Sequence, residues 1–405
     1  MSGRRGRISS LMMFRNRQLW AVSIASSIRS IGFGASWPFM AIFFNEELGV
    51  PITIVGIMFT ILAFISTVYS LVGGILADLL GRRNTILLGA VTGIVIYSII
   101  TFAISENLSV ILISELFVFS AISGAFVFPS ASSVVADVSS SEERNIAYSI
   151  YRIMSNLGWA IGPLTGSFIV AFGMKYIFIL LIIASVLQFV VVFLFVRDSE
   201  LKKKEGRHIL EIGFDRLLLM FCAGTFFITL LSSQFSVTLP VYSVHSAGIT
   251  ESQLGYIYAV NGTVVVVGQY PMSYILRRID ETYVIIMGAL FYAIGYLLVG
   301  FSHGLPDLMG DMAIITVGEN LTSPGMNTIV SRIAPEGKTG RYMGFLSMVN
   351  STGRAIGPSA GSFFLSLFIY NGVKVWSLLS AMGLLSIMFL FMFSVMQRHS
   401  LKGDS

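Results

Sequence analysis

Residues 160–168 read AIGPLTGSF, and residues 355–363 read AIGPSAGSF. The second stretch stands 195 positions after the first, and the same offset carries Pro129 onto Pro324, Gly158 onto Gly353 and Arg82-Arg83 onto Arg277-Arg278. One register that covers several segments is the mark of a duplicated chain. It divides the 405 residues into an N-terminal half, 1–197, and a C-terminal half, 214–405, joined by a polar linker, 198–213.

Around that repeat the chain is apolar almost end to end. Hydrophobic residues make up 55% and charged residues 12%, where soluble domains carry roughly 25% charged residues. No single soluble core hides so much apolar surface. About twelve apolar runs follow one another between residues 18 and 396, each long enough to cross a hydrocarbon layer of about 30 Å. Backbone polar groups in lipid must be satisfied within their own segment, so the runs are predicted to be helices. Parallel repeats of an even number of spans are related by an axis along the membrane normal.

Basic residues set the orientation. With the N-terminus in the cytoplasm, the cytoplasmic loops and tails hold 21 of the 26 Lys and Arg residues, which is the positive-inside pattern. A multi-pass cell-membrane protein with both termini cytoplasmic is expected. The net charge of +5 then reflects topology and calls for no nucleic-acid partner. Arg4, Arg5 and Arg7 precede a run too long for a signal-peptide core, so that run is expected to be retained as a span. Cys222 is the only cysteine, which excludes an intrachain disulfide. His245 and His303 make no metal site, and neither a phosphate-binding glycine loop nor a Ser/His/Asp or Cys/His constellation is present. No cofactor, metal or enzymatic activity is expected.

Residues 73–86 read GGILADLLGRRNTI. Gly74, Leu76, Ala77, Asp78, Gly81, Arg82 and Arg83 fit the pattern G-x-L-A-D-x-x-G-R-R, and in this the chain resembles the major facilitator superfamily. Gly158, Gly162, Pro163 and Gly166 fit G-x-x-x-G-P-x-x-G, which looks like the fifth-span signature of the twelve-span drug:proton antiporters in that superfamily. Gly353, Gly357, Pro358 and Gly361 repeat it in the eleventh span. The stretch GENLTSPGMNTIVSRIAPEGKTGRYMGF (318–345) resembles the matching segment of bacterial multidrug efflux members. Two positions depart from the pattern. Ser120 stands where those antiporters carry an arginine, and Ser273 stands where the first half has Asp78.

The resemblance implies an all-α membrane protein of the major facilitator fold, twelve transmembrane helices in two pseudo-symmetric six-helix bundles around a central cavity. It implies a secondary active transporter working by alternating access, and most directly a proton-coupled exporter of amphiphilic compounds or drugs. Transport of one specific small metabolite, inward or outward, is the alternative. The implied partners are a small-molecule substrate, protons and membrane lipids, with a monomer as the expected unit.

The resemblance also assigns roles. Asp78 would face the cytoplasmic start of span eleven, whose helix N-terminus attracts an anion, with Arg144 or Arg341 as direct partners in the same gate. Gly74 would admit a close helix and Gly81 a sharp turn. Arg82 and Arg83 either belong to the gate or only mark topology as snorkelling charges. The two glycine–proline stretches are expected to pack spans five and eleven against the opposite half. Ionisable groups inside spans cost several kcal/mol unless paired or wet, which singles out Arg29, Glu115, Arg152, Glu319 and Arg354. Glu319 and Arg354 each lie 13 residues from a cytoplasmic arginine, a depth of roughly 20 Å. A pair between them is expected, with Arg29 in reach of Glu319. Glu319, Arg354, Arg29 and Glu115 form the proton-coupling set, with a purely structural Glu319–Arg354 bridge as the other reading. Arg152, Asn156, Gln234 and Asn261 are expected to line the substrate cavity or to bridge helices.

Overall fold

The structure is a computed structural model that describes residues 16–140, 143–197, 215–276, 278–335, 338–368 and 370–403. The basic N-terminal tail and the linker 198–213 lie outside the described residues. Among those residues the fold is entirely helical.

Each helix begins and ends for local reasons. The Asn16 side chain caps α1 (Arg17–Ile42), accepting from Gln18 N at 3.1 Å and Leu19 N at 3.2 Å, which satisfies donors that have no partner inside the helix. α2 (Ile52–Leu80) stops at Gly81, whose φ of +92° favours glycine, and α3 (Arg82–Ser105) starts at once. The fourth apolar run is two abutting helices, α4 (Val110–Phe119) and α5 (Ala121–Asp137), meeting at Ser120. α6 (Arg144–Val170) and α7 (Lys175–Phe195) complete the first half. In the second half Asp215 caps α8 (Arg216–Ser232), which passes through a tight turn at Ser233–Phe235 into α9 (Thr238–His245). The chain then runs through α10 (Leu254–Leu276), α11 (Glu281–Val299), α12 (Leu305–Ile333), α13 (Thr339–Leu367) and α14 (Gly372–Gly403).

Among the described residues, eight helical stretches are long and apolar enough to cross a membrane. They cover α2 to α8, with α4 and α5 as one stretch, and α11 and α14. α1, α10, α12 and α13 fall short because they carry the polar groups: Arg29 and five serines in α1, Asn261 and Gln269 in α10, three carboxylates in α12 and Arg354 in α13. Large apolar side chains such as Phe64, Leu71, Phe168 and Val266 stand exposed, as expected of helices whose outer surface meets lipid.

The chain forms two compact units, Met1–Phe43 with Ile61–Glu205, and Phe44–Thr60 with Gly206–Ser405. In the first, α1 packs on α6 and α7, and α3 packs on α5 and α7. In the second, α8 packs on α13 and α14, and α11 packs on α12 and α14. The 195-residue offset maps one set of neighbours onto the other, so the sequence repeat is a repeat of packing. Leu19, Val22, Ile86, Val135, Ala147 and Val192 belong to the core of the first unit. Among the described residues each unit also carries an ionic link between the ends of these helices. Arg82 at the start of α3 pairs with Asp137 at the end of α5, and Arg332 at the end of α12 pairs with Glu281 at the start of α11 at 2.8 Å.

The glycine–proline stretches correct an expectation. Their glycines face α1 and α8, helices of their own half, while the α13 stretch also meets α2 of the N-terminal half, where Thr60 Oγ1 donates to the Ala355 carbonyl at 2.6 Å. A Cβ on Gly162 would stand 2.8 Å from backbone atoms of Gly34 and Ala35 in α1, and one on Gly166 would overlap the Ala35 carbonyl. In the second unit, Cβ atoms on Gly353, Gly357 and Gly361 would collide with Thr229 and Ser233 of α8 and its tight turn, and with Gln234 and Thr238. Small residues spaced by three or four positions let two helix backbones touch, and the contacts used are α6 on α1 and α13 on α8. Pro163 and Pro358 lie inside α6 and α13 without ending either helix. Gly74 is corrected in the same way. Its missing side chain leaves open space, whereas Gly73 meets α5, with a Cβ position 2.6 Å from the Ala125 carbonyl.

Candidate functional site

The signature loop lands on the first turn of α3. Arg82 is only 9% exposed, and its Nε stands 2.5 Å from Asp137 Oδ2, with Asp78 Oδ1 at 3.9 Å from Nη2. A cation removed from water needs a countercharge, and Asp137 supplies it. Arg83 is anchored as well. Its Nη2 donates to the Phe193 carbonyl at 2.8 Å and its guanidinium lies 5.0 Å from the Phe193 ring centre. Neither arginine is a bare snorkelling charge. Asp78 keeps 65% of its side chain exposed. Arg144 Nη2 donates to the Ala136 carbonyl at 3.4 Å, so it too gathers on the last turn of α5. In the second unit Arg341 sits half-buried in the first turn of α13. Its neighbour Tyr342 donates to Asp215 Oδ2 at 2.7 Å, tying α13 to the cap of α8. Asp137 and Asp215 are the residues that sequence reading missed; their one signal was an acid at the edge of an apolar run.

Arg29 lies in the first unit. Its Nη1 donates to Ser123 Oγ at 3.2 Å, and a Cβ on Gly124 would stand 2.9 Å from Nη2, so the guanidinium rests where that glycine leaves room. Among the described residues no carboxylate lies within ion-pair distance of it. Glu115 is exposed on α4, and Arg152 and Asn156 are exposed one turn apart on α6. The structure brings Arg29 to Ser123 and Gly124 and makes no pair between Arg29 and Glu115.

In the second unit Glu319 is half-buried on α12, and its Oε2 accepts from Asn261 Nδ2 of α10 at 3.0 Å. Asn261 Nδ2 also reaches Thr316 Oγ1 at 3.0 Å, while Asn320 Nδ2 donates to the Val264 carbonyl at 3.0 Å. Amide side chains thus stitch α10 to α12 around the carboxylate. The expected pair with Arg354 does not form. Arg354 is exposed and donates to Ser351 Oγ on its own helix at 3.2 Å. The cause is helical phase: Gly353 and Gly357 lock that face of α13 onto α8, and Arg354, about 100° further round, is turned away from it. Gln234 is corrected too. It is fully buried, donates to the Leu230 carbonyl at 2.9 Å and the Gly357 carbonyl at 3.0 Å, and accepts from Thr238 Oγ1 at 2.5 Å. It bridges helices and is no cavity wall.

Comparison with known proteins adds three likenesses. The chain is 23% identical over 391 residues to the multidrug resistance protein MdtH of Aeromonas hydrophila, covering 94% of this chain and 96% of that protein. It is 23% identical over 362 residues to the quinolone resistance protein NorA of Staphylococcus aureus, covering 86% and 90%. A crystal structure of a POT family transporter in complex with 5-aminolevulinic acid superposes with a TM-score of 0.75 at 16% identity, covering 94% of this chain and 96% of that one; at that identity the likeness speaks for the fold alone. The model of the Major Facilitator Superfamily matches residues 22–358. A match of that length, on a duplicated helical chain with the loop signature at Gly74–Arg83, means that this protein belongs to the Major Facilitator Superfamily and is a transporter, not an enzyme.

Proposed function

We propose that the chain is a secondary active transporter working by alternating access, with twelve spans in two six-helix bundles and both termini in the cytoplasm. In this reading it exports amphiphilic compounds or drugs in exchange for protons. One observation carries it. Glu319 is an acid deep in the sequence of an apolar run, and its partner is the neutral amide of Asn261 at 3.0 Å. A carboxylate held by an amide cycles between its charged and neutral forms without breaking an ion pair. The names of MdtH and NorA support the efflux half of the proposal. Glu319 is the proton carrier, with Arg354, Arg29 and Glu115 as the other charges of the coupling set. Arg152, Asn156 and Asn261 line the substrate path, and Gly74, Asp78, Gly81, Arg82, Arg83, Arg144 and Arg341 belong to the cytoplasmic gate.

The test is Glu319→Gln in proteoliposomes, since the amide mimics a carboxyl that never releases its proton. Uphill, pH-gradient-driven transport of an amphiphilic dye should be abolished, while dye exchange without a gradient survives. Full uphill transport by a well-folded Glu319→Gln protein removes Glu319 from the mechanism. A toxic-compound survival screen in a host without efflux pumps tests the substrate class, and protection against none of the compounds would sink the export reading.

A further inference from the structure

Arg29 is a half-buried cation on an apolar unit, and among the described residues it has one hydroxyl as its hydrogen-bond partner and no acid within ion-pair distance. A guanidinium has five N–H donors and stays charged in any protein environment. Removal from water is tolerated only where an anion or a wet surface compensates. Around Arg29 the unit is built to leave space. A cavity of about 10 Å³ is lined by Arg29, Phe33, Tyr97, Leu181, Ala184 and Ser185, room for a single water-sized particle. Two glycines shape it. A Cβ on Gly93 would stand 2.8 Å from Ser123 Oγ and 3.1 Å from Ser185 Oγ, and one on Gly124 would press on the guanidinium. The hydroxyl of Ser185 donates to the Leu181 carbonyl at 2.8 Å, so the N–H donors that face the cavity are those of Arg29. Phe33, Leu181 and Ala184 give the wall its apolar part, beside the Tyr97 side chain.

We propose that this niche binds one small monoatomic anion, a halide, as the counter-ion of Arg29. A cavity for one water-sized particle excludes a planar carboxylate or a tetrahedral oxyanion. The guanidinium supplies both the charge and, through the N–H groups not used by Ser123, the hydrogen bonds, while Phe33 and Leu181 give the dry wall that favours a weakly hydrated ion over water. The site does not depend on the transport reading, because binding is measured on the protein at rest.

The experiment is a thermal melt of the purified full-length protein in detergent, in sodium chloride or sodium gluconate at equal ionic strength. Chloride should raise the midpoint saturably by about 2 °C, and bromide should do the same. Arg29→Gln should lose the shift and Arg29→Lys should keep part of it. Gly93→Ala retains the charge but fills the niche, and it should lose the shift while folding normally, which guards against an Arg29→Gln protein that does not fold. Equal midpoints in chloride and gluconate would overturn the proposal, as would a full chloride shift in folded Arg29→Gln or Gly93→Ala protein. An acetate shift equal to that of chloride would overturn the assignment to a monoatomic ion.

Discussion

Arg82 keeps its charge out of water, and the chain provides for that from 55 residues away, at Asp137. Replacing Arg82 by Met should lower folding stability by about 1–2 kcal/mol, less than a fully buried pair would lose because Asp137 is 29% exposed. The double variant Arg82→Met/Asp137→Leu should recover part of that loss, read as the thermal midpoint in detergent. A double variant worse than the sum of the singles would show that the pair is not the unit of stability. At the same scale, Glu251 has its pKa raised, first by partial burial and then by the nearby charge of Glu46, and Glu47 is raised by desolvation and then by Glu251. An acid raised on folding stabilises the folded state fully below its ordinary value of 4.5, and that stability is lost as pH rises through the higher folded value. Midpoints should therefore fall as pH climbs from about 4.5 towards neutral, and Glu251→Gln should flatten the slope. The sequence named Arg82, Glu319 and Asn261 individually because each breaks an apolar run. It did not join them in the right pairs, since Arg82 to Asp137 and Asn261 to Glu319 are contacts between helices far apart in the chain, and spacing within one helix carries no record of them.

Helices and their phases were more legible than pairs. Apolar runs and glycine spacing located α6 and α13 and marked one face of each as a close contact. The partner of that face was misjudged, because small residues declare that something approaches without saying what. Gly162→Val tests the contact found. The new side chain meets the α1 backbone at 2.8 Å, with no flexible atom to give way, so overpacking of about 1–3 kcal/mol is expected. The readout is a lower midpoint and a lower yield of monodisperse protein. Gln234→Leu should cost a similar amount, about 1–3 kcal/mol, since its three hydrogen bonds are lost at a fully buried position. Gly74→Ala, by contrast, should leave stability unchanged, because open space surrounds it.

At the scale of the whole molecule, composition and the 195-residue repeat carried the helical class and the matched neighbours of the two units. Orientation is tested by single cysteines in a Cys222→Ser background, where the natural thiol is already buried. A cysteine at position 303 should react with an impermeant label from outside sealed cells, and one at position 206 only after lysis. The reverse result would invert the topology. The two ionic links bear on a different problem, the risk a duplicated chain runs of confusing its own halves. Arg332 stands where the repeat register places Asp137, so the link is kept in both units with its polarity exchanged. If α3 docked by mistake on α12, Arg82 would meet Arg332, which is repulsive by up to about 1 kcal/mol where the right meeting is attractive. Opposite polarity thus acts as a label that tells nascent helices which sister to join. Reversing one link, with Glu281→Arg and Arg332→Glu together, preserves its attraction yet erases the label, and should raise the fraction of misassembled protein recovered from the membrane.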